Sequence, residues 1–96
     1  MLIAKPCTSM GGVLVQLYLW DKEVKIEISK LAQELKQKGY KIKTLIPGIM
    51  VVTEIDGYEA SIYPSGKIII KDLRDEKKAE EIARKIYDLA GVNIED

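Results

Sequence analysis

The 96 residues carry fifteen Lys or Arg against fifteen Asp or Glu, no His and one Cys, which is the size of one small domain with zero formal charge. Neutrality excludes a polybasic binder that neutralises many phosphates at once, so any nucleic-acid contact has to come from a local surface. The absent His and the lone Cys exclude a His-based triad, His metal ligands, an internal disulfide and a Cys-based zinc site.

Along the chain, residues 1–12 read as an irregular lead-in, interrupted by Lys5 and Pro6 and ending at Gly11 and Gly12. Residues 13–96 read as a single α+β domain. Lys5 and Pro6 stand where a secretory leader needs a long apolar run, and no stretch approaches the roughly 20 apolar residues of a membrane span. A soluble cytoplasmic chain with no membrane partner is the expectation. Abundant Ile, absent Phe and Lys in excess of Arg point to a thermophilic archaeal source.

Val13 to Trp20 is apolar almost throughout, with Gln16 its one polar interruption, and reads as a strand. Ile28, Leu31, Ala32 and Leu35 then fall at i, i+3, i+4 and i+7, one stripe of an amphipathic helix that Ser29 could cap and Gly39 could end. Val24, Ile26 and Ile28 also fit a short alternating strand, so pattern alone leaves the helix start open. Between Tyr40 and Leu73 the apolar residues are mostly Ile and Val, whose branched Cβ favours strands. Asp56-Gly57 signals a hairpin between Ile49–Ile55 and Tyr58–Tyr63, and Pro64-Ser65-Gly66 a second turn before Lys67–Asp72. The last segment places Ala79, Ile82, Ala83, Ile86, Leu89 and Ala90 on one helical face, with Asp75 as N-cap and Gly91 as stop. Strand, helix, three strands and helix make a two-layer α+β domain.

Chemistry-bearing motifs are sparse. Cys7, beside Thr8 and Ser9, has no general base in sequence to activate it. Glu76, Glu80, Glu81, Asp72 and Asp75 read as helix-start charges and a solvated face. No catalytic residue, metal site or cofactor is expected, and an enzyme rests on no motif.

At this point the residues resemble one repeat of the TATA-binding protein family. Ile46-Pro47-Gly48-Ile49 resembles the family's Phe-Pro-Gly-Leu, and Ile62-Tyr63-Pro64-Ser65-Gly66-Lys67-Ile68-Ile69 its Ile-Phe-Ser-Ser-Gly-Lys-Met-Val. Seventeen positions separate Ile46 from Tyr63, as they separate the two family Phe residues that wedge into base steps. Ile26 to Ala32 resembles the run that opens the family's first helix, and Val13 to Ala90 covers one repeat. The resemblance implies a curved antiparallel sheet of about four or five strands with two helices on one face, the other face lying in a DNA minor groove.

Carried over residue by residue, Gln16 stands where the family has a base-contacting Asn, and Tyr18 where it has a groove-contacting Val. Ile46 and Tyr63 replace the wedging Phe residues, and Pro47 stands where the family uses Pro or Ala. Ser61 replaces a Leu, Ile69 a groove-lining Val and Lys71 a Thr, while Val52 stands near a phosphate-binding Arg. Ile is a known apolar wedge, but Tyr must desolvate a hydroxyl to enter a base step, so sharp kinking of DNA is not expected.

Alternation gives a second view that needs no family. It directs Ile49, Val51 and Ile55 to the helices, and Gln16, Tyr18, Ile46, Met50, Val52, Ser61, Tyr63, Lys67, Ile69 and Lys71 to the open face. That face is too apolar for water alone and marks a binding surface. A non-enzymatic module follows, contacting DNA or RNA through Gln16, Tyr18, Ile46, Pro47, Ser61, Tyr63, Lys67, Ile69 and Lys71. Two copies would meet along Val13–Trp20 as a homodimer, placing Gln16 beside its symmetry mate. The alternative is a protein–protein interaction or assembly role with no nucleic acid, in which Ile46 and Val52 are buried by a partner and Lys41, Lys43, Lys67 and Lys71 are edge charges that block aggregation.

Overall fold

Runs of Ile and Val set the strands, and the computed structural model describes residues 2–7, 11–18 and 23–92. The elements are β1 (Leu2–Cys7), β2 (Gly12–Leu17), α1 (Ile28–Gln37), β3 (Lys41–Ile46), β4 (Met50–Ile55), β5 (Tyr58–Ile62), β6 (Ile68–Ile70) and α2 (Glu76–Leu89). All strands join one antiparallel sheet in the spatial order β1-β2-β6-β5-β4-β3.

Both helices lie on one face of that sheet. Val13, Val15 and Leu17 of β2, Ile68 and Ile70 of β6, Ala60 and Ile62 of β5, and Val51 and Ile55 of β4 pack there against Leu31 and Leu35 of α1 and against Ile82 and Ile86 of α2. The alternation of the strands and the 3.6-residue stripe of each helix meet in one aliphatic core, the two-layer α+β arrangement expected. Thr53 is the polar residue inside it, and its Oγ1 donates to the Lys41 carbonyl at 2.8 Å. That bond sits beside a register shift between Ile42 and Thr44, where Lys43 bulges out of the β3 ladder.

Several expectations are corrected. The sheet has six strands rather than four or five, because the supposed lead-in contains β1, which pairs with β2 from Leu2↔Leu17 to Cys7↔Gly12. Lys5-Pro6 reads as irregular in sequence, yet an edge strand tolerates a proline because only one side of it needs ladder hydrogen bonds. β3 is the second strand the turn signals did not mark. β2 ends at Leu17, and Leu19 and Trp20 lie outside the described residues, as do Thr8 and Ser9. α1 is flanked by Glu27 with no side-chain cap, so Ser29 lies inside the helix and does not cap it. Ile49 belongs to the turn before β4 and is exposed, because the chain reverses at Pro47–Ile49 before the alternation begins.

Other local signals hold. Asp75 caps α2 by accepting from the Lys77 and Lys78 backbone N–H groups at 3.0 and 3.4 Å. Asp56 and Gly57 both have positive φ, as a two-residue hairpin of this kind requires. The Asp56 carboxylate also accepts from Lys85 Nζ at 2.8 Å and Lys78 Nζ at 3.3 Å, which ties the β4–β5 turn to α2.

Two glycines set close approaches. A Cβ on Gly12 would lie 2.1 Å from the Ile70 carbonyl oxygen, so β2 and β6 come together there only without a side chain. Gly66 has φ +90° and a Cβ on it would meet Val24 at 2.5 Å. Its carbonyl accepts a hydrogen bond from the buried Tyr87 hydroxyl, which joins α2 to the turn between β5 and β6.

Candidate functional site

The face opposite the helices is assembled by strand register. Directly opposed residues of an antiparallel pair share a face. Leu14↔Ile69, Ile69↔Ser61, Ser61↔Val52 and Val52↔Thr44 therefore form one continuous row across β2, β6, β5, β4 and β3. Val52, at 9% exposure, is nearly covered within this row, although no helix lies over it. On one side of it lie Gln16 on β2, the Ile46↔Met50 pair on β3 and β4, and Tyr63 with Lys67 at the β5–β6 turn. The Lys67 ammonium sits 5.7 Å from the Tyr63 ring centre, and the Tyr63 N–H donates to the Lys67 carbonyl at 3.0 Å. A cation held over an aromatic ring keeps its charge available at the rim of the face.

On the other side of the row the face carries charges of both signs. Lys43 Nζ pairs with Glu54 at 3.7 Å and Glu59 at 3.6 Å, and Lys71 Nζ with Glu59 at 3.9 Å. Lys41 stands directly opposite Glu54 on the same side, so three cations face two anions there. The bulge at Lys43 turns its side chain towards these acids.

The register brings Gln16, Ile46, Ser61 and Ile69 onto the shared face, with Tyr63 and Lys67 at its rim. Tyr18 lies one residue beyond β2 and is half-exposed, and Pro47 lies in the β3–β4 turn rather than on the sheet. Lys71 follows β6, and its N–H donates to the Glu59 carbonyl at 2.9 Å. Gln16 Nε2 donates to the Ser65 carbonyl at 3.4 Å, a long contact that leans the amide towards the β5–β6 turn. Its neighbour across the strand edge is Ile3 of β1, so β1 occupies, from Gly12 to Leu17, the edge expected to form the homodimer along Val13–Trp20. Leu14 and Glu59 also belong to this face. Alternation with Val13 and Val15, and with Ala60, carries the signal for them.

Among the described residues no group of His, Cys, Asp and Glu is arranged to hold a metal ion, and no helix is long and apolar enough to cross a membrane. The fold and the uncovered sheet define the class: a two-layer α+β domain that presents one partly apolar sheet face. Comparison with family models gives a match over residues 19–90 to the model described as transcription factor TFIID, or TATA-binding protein. This span is three-quarters of the chain and the size of one repeat, and the chain belongs to the TATA-binding protein family. No curated protein and no solved structure gives a match.

Proposed function

We propose that this chain is a non-enzymatic nucleic-acid-binding module that uses the open sheet face, one copy at a time. The observation that supports it most is the row Leu14–Ile69–Ser61–Val52–Thr44, an apolar strip with small hydroxyls on a face no helix covers, in a member of a DNA-binding family. Such a strip suits sugar and base-edge contact in a shallow groove, and cations at its rim suit phosphates. Gln16 and Ser61 supply hydrogen-bonding groups, Ile46 and Tyr63 apolar and aromatic contact, and Lys67 a charge for phosphate. Lys71 adds little, because Glu59 already neutralises it.

Anisotropy titration of a fluorescent 16-base-pair duplex between about 50 and 200 mM KCl tests this, with binding expected to weaken as salt rises. Lys67→Glu is expected to weaken binding several-fold, while Lys71→Ala changes it less. Absence of binding by the parent chain at the lowest salt overturns the proposal.

A second reading rests on a different place. Leu45 and Ile49 are 38% and 58% exposed at the β3 edge and the turn beside it, and Leu45 faces away from the open face. Protein contact at this corner predicts that Ile49→Lys abolishes partner capture without changing duplex affinity.

A further inference from the structure

We infer that β1, which precedes the region matched by the family model, is part of the nucleic-acid interface and that Lys5 supplies one of its phosphate contacts. This rests on the proposed use of the open face. The register places Lys5 directly opposite Leu14 and Ile3 directly opposite Gln16. Lys5 thereby extends the row Leu14–Ile69–Ser61–Val52–Thr44 to all six strands, about 24 Å at the usual inter-strand spacing. The facing of β1 has an independent support, since its alternate residues Leu2 and Ala4 pack against the core on the helix side.

Charge then distinguishes Lys5 from the other cations of the face. Lys43 and Lys71 are held by Glu54 and Glu59, Lys41 stands directly opposite Glu54, and Lys67 lies over Tyr63. Lys5 is exposed, has no ion pair among the described residues, and faces Leu14, an apolar neighbour. β1 itself contains no acid. An uncompensated ammonium beside an apolar strip is placed as a groove binder needs it: the strip meets sugars and base edges while the flanking charge meets the backbone. β1 also occupies the β2 edge, so the surface is widened by the chain's own strand and not by a second copy.

The experiment is the same duplex titration, read as the slope of log affinity against log salt. Lys5→Ala is expected to reduce that slope by about 0.9, the value of one phosphate contact, with Lys5→Arg restoring it and Lys77→Ala on α2 leaving it unchanged. Parent-like slopes in Lys5→Ala overturn the β1 contact and leave the proposed function standing. Failure of the parent chain to bind overturns both, so the two failures are distinct.

Discussion

The two faces of this sheet are built from the same strands to different standards. On the covered face, Val15, Ile55, Ala60, Ile62, Ile68 and Ile70 are fully buried aliphatics, one after another. On the open face, the alternate positions hold Leu14, Gln16, Val52, Glu54, Glu59, Ser61 and Ile69, where apolar, hydroxyl and charged groups mix. The covered face is specified by packing volume, because a void or an unpaired polar group there costs stability directly. The open face is free of that demand, so its composition reports what touches it. Its charges are also sorted: the β3–β6 side sets Lys41, Lys43 and Lys71 against Glu54 and Glu59, while Lys5 and Lys67 lie away from those acids.

The largest break in this comparison comes from the backbone that holds both faces. Gly12→Val sets a branched Cβ against the Ile70 carbonyl, which no rotamer relieves, and is expected to cost about 4 kcal/mol in urea unfolding, with β1 and β2 amides losing hydrogen-exchange protection first. Next, paired truncations separate the faces. Ile62→Ala removes a core side chain and is expected to cost about 3 kcal/mol, whereas Ile69→Ala costs less than about 1 kcal/mol while weakening duplex binding. Equal stability losses for the two would show that the open face is a second core.

A smaller effect is expected at Tyr87. Burial raises its phenol pKa above the ordinary range, which favours the protonated hydroxyl that donates to the Gly66 carbonyl. Tyr87→Phe leaves that carbonyl unpaired and is expected to lower stability by about 1–2 kcal/mol, measured by thermal melting, without altering the open face. The smallest effect is electrostatic. The hydrogen bond from Lys85 holds the Asp56 carboxyl below its ordinary range, with partial burial opposing and Lys78 adding to the shift. A carboxyl whose folded pKa lies below its unfolded one stabilises the fold fully above the unfolded value of about 4, and loses that contribution as pH falls through the folded value. Asp56→Asn is therefore expected to flatten the acid limb of a melting-temperature profile slightly and leave neutral duplex binding unchanged. Asn tolerates the positive φ at this turn, so the backbone does not confound the comparison.

Much of the fold was legible because its signals are local. The Ile28–Leu35 stripe, the Asp75 cap, the Asp56-Gly57 turn and the alternation of Val51, Ile55, Ile62, Ile68 and Ile70 each depend on neighbours within a few residues. Open-face residues such as Ser61 and Ile69 were legible for the same reason. Tyr87 was not, since its place in the core depends on where α2 meets the β5–β6 turn.

By itself, then, the sequence determined a neutral two-layer domain, the covered face and most members of the open one, because periodicity and turn chemistry are written in adjacent residues. Only the tertiary structure decided that Leu2–Cys7 is a strand, that this strand closes the edge meant for a second copy, and that Lys71 and Lys43 share their charge with Glu59. Those are pairings between segments far apart in the chain. An edge strand with Lys5 and Pro6, or a lysine turned by a bulge, carries no pattern of its own until the partner strand supplies the register.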